Sequence, residues 1–270
     1  MGERPAILSR GYGRRNKSDG VVVVRDPEGI RADLDRAGDE PLMLARALDG
    51  VSVLVSNSRY LAGRLAEHHF GCTVHILDDG FQHFELHRDA DIVAVAREDL
   101  EAARTLPTGR LREPLDAAAA ADAFLALGDD VPLAALNPGQ RPVWRAARTL
   151  DAVRPADADG ASVLPSAGLV LAVAGIADPA AFFRDIRSAG WAVSREMPFR
   201  DHHAFTREDV RTIFNAARAV GASAVLTTEK DAVRLLPFRP FPIPVLFAPL
   251  VLDLDSITTF DAWLRERVRT

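Results

Sequence analysis

Short apolar runs alternate with helix-patterned stretches along this chain, and that alternation constrains the fold more than any other feature. Strand-like runs fall at residues 5–8, 21–24, 51–55, 74–77, 91–95, 123–127, 169–176, 191–193, 224–227 and 245–248. Helical patterning occupies residues 41–48, 58–69, 117–123, 180–189, 206–220 and 256–267. A parallel neighbour can be reached only by a crossover, so repeats of this kind specify a mostly parallel, doubly wound sheet with helices on its faces. The helix starts agree. Gly38-Asp39-Glu40-Pro41 puts acids and a proline in a first turn, as does the cap-then-proline pair Asp178-Pro179. Over residues 131–167 the pattern loosens, with Pro132, Pro138, Pro142, Pro155 and Pro165 breaking it into short segments. The expected organisation is a first α/β domain at 1–130, a connector at 131–167 and a second α/β domain at 168–270.

Composition excludes several classes. The chain has 270 residues and a formal net charge of −5, which argues against nucleic-acid binding through bulk charge. Its one cysteine, Cys72, precludes an intrachain disulfide. No segment reaches the roughly 18–20 apolar residues a membrane span needs, and no signal peptide opens the sequence. A cytosolic or peripherally membrane-bound protein fits. Nearly all the basic residues are arginine, Lys17 and Lys230 being the lysines, so a phosphate-binding lysine has two candidates.

The chemistry concentrates at residues 74–91. The run Val74-His75-Ile76-Leu77 reads as a buried parallel strand that stops at Asp78-Asp79-Gly80, followed by Phe81-Gln82-His83. Two carboxylates at the carboxyl end of such a strand can hold magnesium or a magnesium–phosphate complex. Asp and Gly there also suit a capped helix entrance. Both readings stay open on this stretch alone.

Other stretches narrow the alternatives. Ser9-Arg10-Gly11-Tyr12-Gly13-Arg14 is a cationic, glycine-containing loop after a strand, but Asn16 stands where a Walker-type loop needs glycine before the lysine. His83 and His87 have the spacing of a zinc-protease pair, with Phe84 in place of the required glutamate. Thr228-Glu229-Lys230-Asp231 lacks the spacing of a nucleotide-base motif. What remains is suited to phosphoryl transfer: Asp78, Asp79 and Glu40 for a metal, Arg10, Arg59 and Arg112 for phosphate, and Asp39, His83 and His202 as base candidates.

Taken together, four blocks resemble the signature segments of the tetraacyldisaccharide 4′-kinases, the lipid A 4′-kinase family. They are Ser9-Arg10-Gly11-Tyr12-Gly13-Arg14, Gly38-Asp39-Glu40-Pro41, Asp78-Asp79-Gly80-Phe81-Gln82-His83, and the loop from Leu106 to Leu115. Asp201-His202-His203 and Thr228-Glu229-Lys230-Asp231-Ala232-Val233 are similar to the family's later motifs. The resemblance implies a magnesium- and ATP-dependent kinase acting on the 4′-hydroxyl of a tetraacylated glucosamine disaccharide, at the cytoplasmic face of the inner membrane. It implies that Asp39 and His202 activate the sugar hydroxyl and that Asp79, with Glu40, neighbours the magnesium. It further implies that Tyr12, Arg59, Asp78, Gln82, His83, Arg112 and Glu113 line the phosphate and substrate cleft. The implied fold is two α/β/α sandwich domains of P-loop-kinase type joined by a connector, with Asp39 in the first domain and His202 in the second.

One departure is substantial. The family's glycine-rich phosphate loop, with its strand and helix, and its membrane-associating helix would precede Ser9, and they are not in this sequence. Either the recorded start lies downstream of the true one, or the chain is a degenerate, non-catalytic module that binds an acylated sugar phosphate. In both cases the 270 residues alone are expected to be poorly soluble and without magnesium-dependent ATPase activity.

Overall fold

A computed structural model describes residues 2–12, 14, 20–101, 103–157 and 168–268. Gly13, Lys17 and Pro165 lie outside the described residues. Contacts group the chain into two units, residues 1–78 with 150–250, and residues 79–149 with 251–270.

The first unit opens with β1 (Pro5–Ser9), β2 (Val22–Asp26) and β3 (Gly29–Ile30), then α1 (Leu34–Ala37), α2 (Asp39–Ala47), β4 (Ser52–Val55), α3 (Arg59–Phe70) and β5 (Val74–Leu77). Its sheet has the order β3-β2-β4-β1-β5, with β1 parallel to both β4 and β5 and β2 antiparallel to β4. Strand β1 is interior, between β4 and β5, and Ala6, Ile7 and Leu8 are buried. The helices start where capping predicts: the Ser58 hydroxyl accepts from Leu61 N at 3.3 Å to open α3.

The strand carrying Asp78 differs from expectation. It is parallel, but it ends the strand order, and Ile76 is 53% exposed. A four-residue apolar run cannot by itself distinguish an edge from a centre. The capped-helix reading of Asp78-Asp79 also falls, because the chain continues in turns. Asp79 itself adopts φ 55°, which a helix N-cap does not.

The second unit contains β6 (Ile92–Val95), α4 (Arg97–Glu101), β7 (Ala123–Leu127) and β8 (Val143–Leu150). The three strands run parallel in sequence order. The stretch 117–123, read as helical, overlaps a short 3-10 helix at Leu115–Ala120. Strand β8 lies inside the residues read as a connector; the prolines around it bound the strand rather than dissolve it.

The chain then returns to the first unit with β9 (Arg154–Pro155), β10 (Leu169–Ala174), α5 (Pro179–Ser188), β11 (Ala192–Pro198), α6 (Arg207–Ala219), β12 (Ala224–Thr228), α7 (Glu229–Leu235) and β13 (Val245–Ala248). The order β11-β10-β12-β13-β9 is parallel apart from β9. Asp178 Oδ1 accepts from Ala181 N at 3.0 Å, and Thr206 forms a reciprocal capping box with Asp209. Ile213 of α6 packs in one buried cluster with Leu171, Val173 and Val225. Each such buried side chain contributes roughly 1.5–3 kcal/mol. Val233 of α7 packs into the cluster of Ile7, Leu42, Val53 and Val55, so α2 and α7 share one core. The chain ends in the second unit with β14 (Leu250–Leu254), unanticipated from the sequence, and α8 (Ile257–Val268). Trp144 holds α8 by Nε1 donating to Thr259 Oγ1 at 2.9 Å and by its ring against Phe260 and Trp263.

Candidate functional site

The shared core of α2 and α7 brings together the N-terminal turn of one helix and the buried last turn of the other. Asp39 opens α2 and is 7% exposed. Gly38 precedes it at φ +85°, where a Cβ would stand 3.0 Å from the Tyr12 carbonyl oxygen. Gly11, at φ +69°, leaves room that a Cβ would take from Val55 Cγ1, only 2.4 Å away. These two glycines let the loop after β1 lie against α2 and carry Tyr12 to His202, their rings 5.5 Å apart and edge-on.

From α7, Arg234 reaches the same carboxylate. Its Nε donates to Asp39 Oδ2 at 2.8 Å, and its Nη2 donates to the same oxygen. Its Nη1 donates to Gly175 O and to Asp231 Oδ1, both at 2.7 Å. Asp231 is fully buried, with Oδ2 accepting from Gly175 N and from the Thr228 hydroxyl, each at 2.8 Å. Buried charges are tolerated only when paired and hydrogen-bonded in this way. Burial pushes the Asp39 carboxyl up. The Arg234 guanidinium, by charge and hydrogen bond, together with Lys230 and His202, outweighs burial and holds it below the ordinary carboxylate value.

His202 sits in the turn before α6 at φ 53°, its backbone N–H bonded to Asp201 Oδ1 at 2.9 Å. Its Nδ1 lies 3.1 Å from Asp39 Oδ2, and its Nε2 lies 3.3 Å from Lys230 Nζ. Lys230 also donates to Glu40 Oε1 at 2.7 Å. The adjacent His203 has a different surrounding: its ring packs against Phe199 and Phe205 and bonds Asp209 Oδ2 at 3.1 Å. A cavity of about 280 Å³ opens beside Asp39, His202 and Arg234, walled by Leu34, Phe205 and Phe238. A buried carboxylate behind a half-buried imidazole can orient the ring and stabilise it when it takes a proton.

The other expected residues fall as follows. Asp78 accepts from the Ser9 hydroxyl at 2.8 Å. Arg59, 2% exposed, donates to Ser56 O at 3.2 Å and to Asp78 O at 3.4 Å, which makes it a brace between the ends of β4 and β5. In the second unit Asp79 pairs with Arg112 Nη1 at 2.5 Å, both side chains more than half exposed. Gln82, Arg112 and Glu113 line a smaller cavity there, of about 140 Å³, with Phe81 and Leu111. The His83 backbone oxygen accepts from Arg88 Nη1 at 2.6 Å, and Arg88 is held bidentate by Asp91 at 2.6 and 3.0 Å. Asp39 and His202, which the sequence places in separate domains, belong to one unit. Among the described residues no three His, Cys, Asp or Glu side chains gather as a metal site.

Reading the sequence missed Arg234 and Asp231 and set Lys230 aside. The spacing of Asp231 and Arg234, three apart on one helix, signals their ion pair but not the contact of Arg234 with Asp39.

Comparison with known proteins supplies a family. The tetraacyldisaccharide-1-P 4′-kinase family model matches residues 1–269. The chain belongs to this family. Tetraacyldisaccharide 4′-kinases similar to it include that of Halothermothrix orenii, 34% identical over 86% of this chain and 66% of that protein. That of Koribacter versatilis is 38% identical over 85% and 68%. That of Geobacter sulfurreducens is 37% identical over 95% and 75%. The chain thus spans about two thirds to three quarters of the length of these relatives. A crystal structure of LpxK from Aquifex aeolicus in complex with ATP is similar at a TM-score of 0.76 and 30% identity, covering 98% of this chain and 79% of that one. The fold of this 4′-kinase family member is therefore mixed α/β of P-loop-kinase type. The family's name places it among phosphotransferases to an alcohol group.

Proposed function

We propose that this chain carries the acceptor-activating site of a kinase that transfers phosphate from ATP to the 4′-hydroxyl of a tetraacylated glucosamine disaccharide 1-phosphate in lipid A synthesis. The observation that carries this is the contact of Asp39 Oδ2 with His202 Nδ1, with the imidazole as the more accessible partner. In this reading His202 takes the proton of the sugar hydroxyl as its oxygen attacks the γ-phosphorus, and the bond from that phosphorus to the β,γ-bridging oxygen breaks to release ADP. Asp39 holds the ring and offsets the imidazolium charge. Tyr12 sets the ring's edge contact, and Arg59, Gln82, His83, Arg112 and Glu113 are assigned to the phosphate and substrate cleft by resemblance.

Magnesium suits the donor chemistry at the end of β5. It is commonly held by one or two carboxylates and by the nucleotide's own phosphates, so a three-residue cluster is not required. Asp79 would hold it, with Asp78 beside it in sequence, and the exposed Arg112 partner is cheaply displaced. When bound, the ion supplies neutralisation of phosphate charge. The assignment of Glu40 to the same ion rests on resemblance alone, its carboxylate being engaged by Lys230. No helix among the described residues is long and apolar enough to cross a membrane. The acyl chains of the acceptor favour work at a membrane surface, which the resemblance assigns to the cytoplasmic face of the inner membrane.

No G-x-x-x-x-G-K-[ST] occurs in the 270 residues, so they are expected to transfer no phosphate by themselves. A second reading is a degenerate module that binds the acylated sugar phosphate without turnover. The test is transfer of labelled γ-phosphate by protein expressed from the whole genomic reading frame. Product phosphorylated at the 4′ position, and none with a 4′-deoxy acceptor, supports the kinase. Acceptor binding without transfer supports the second reading.

A further inference from the structure

We propose that Arg234 is a positioning residue of this site: by anchoring Asp39 it fixes the His202 proton on Nδ1 and leaves Nε2 unprotonated. The proposal rests on the reading of Asp39 and His202 as the acceptor-activating pair.

Arg234 is 5% exposed and has its guanidinium tied on two sides. On one side are Gly175 O and the Asp231 carboxylate, and on the other is Asp39 Oδ2, which takes both Nε and Nη2. Asp231 is itself held by Gly175 N and the Thr228 hydroxyl, so the anchor reaches the ends of β10 and β12. A planar guanidinium fixed in this way leaves the carboxylate little freedom to rotate.

The donor and acceptor inventory then selects a tautomer. Arginine and lysine only donate, and an ionised carboxylate only accepts. Lys230 Nζ stands 3.3 Å from His202 Nε2, a contact that requires a lone pair on Nε2. In a neutral imidazole the proton is then on Nδ1, which donates to Asp39 Oδ2 at 3.1 Å. The opposite tautomer would aim N–H at the ammonium group and turn Nδ1 to accept from Arg234 Nη2, 3.2 Å away. The charged and titratable groups facing the ring are Asp39, Arg234, Lys230, Asp201, whose Oδ2 is 3.9 Å from Nε2, and Tyr12. Glu40 stands behind Lys230. Without Arg234, Asp39 loses the fork of donors that orients its carboxylate.

The test is the nitrogen-15 spectrum of the whole-frame protein labelled at histidine, with His202 assigned by the signal lost in His202→Gln. In the wild type, Nδ1 is expected at a protonated shift and Nε2 at an unprotonated one. In Arg234→Gln both move toward an average, and Arg234→Lys restores part of the separation. A wild-type spectrum with the proton on Nε2 overturns the proposal, as does a folded Arg234→Gln whose His202 shifts are unchanged. If Arg234→Gln does not fold, the wild type and Arg234→Lys decide. A failure of the acceptor-activating reading shows elsewhere, as wild-type phosphoryl transfer by the whole-frame protein carrying His202→Gln.

Discussion

Arg234 Nε donates to Asp39 Oδ2 at 2.8 Å across 195 residues of sequence, joining the first turn of α2 to the far end of α7. Both groups are buried, and Asp231 on the other side of the guanidinium is buried as well. Removing the cation strands two carboxylates. Arg234→Ala should lower unfolding stability by about 3–5 kcal/mol. Urea denaturation of the two proteins checks this; a loss below about 1 kcal/mol would mean that water replaces the guanidinium.

The same pair makes stability depend on acidity. The Asp39 carboxyl is held below its ordinary value in the folded chain, so the unfolded chain binds that proton more tightly. Its contribution is complete above about pH 4, the unfolded value, and is lost as pH falls through the lower folded value. Asp39→Asn should therefore destabilise most at pH 7, with the difference shrinking on acidification below about pH 4. Denaturant midpoints measured from pH 7 to 3 test this, and a constant difference across the range would contradict it.

Gly11 is a steric prediction. A methyl group there meets Val55 Cγ1 at 2.4 Å in a backbone at φ +69°. Gly11→Ala should cost more than the roughly 1 kcal/mol of the conformational penalty alone. It should also loosen the Tyr12 contact with His202. Thermal melts report the first effect and the His202 ring resonances the second.

Arg112 separates stability from function. Its pairing with Asp79 is solvent-exposed, and exposed pairs contribute about 0–1 kcal/mol. Arg112→Ala should leave the unfolding midpoint nearly unchanged and weaken ATP binding by the whole-frame protein. Unchanged nucleotide affinity would remove Arg112 from the phosphate cleft.

The elements were legible in the sequence because apolar runs and caps are local. The runs at 5–8, 169–176 and 224–227 hold the strands Pro5–Ser9, Leu169–Ala174 and Ala224–Thr228, and Ser58, Asp178 and Thr206 capped the helices expected after them. Position within a sheet is not local, so the edge placement of β5 and the strand at Val143–Leu150 were not. Asp39 and His202 were identified through family motifs. Arg234 lay outside every block that carried the resemblance, and its role follows from the packing of α7 on α2, which no spacing along the chain encodes.

The central claim is that Asp39 and His202 activate the acceptor hydroxyl. The direct measurement is the rate of 4′-phosphorylation by the whole-frame protein and by its His202→Gln and Asp39→Asn variants. The account predicts that each variant loses about 10²–10⁴-fold in turnover, while His202→Gln keeps the wild-type unfolding midpoint. Either variant turning over at the wild-type rate would contradict it.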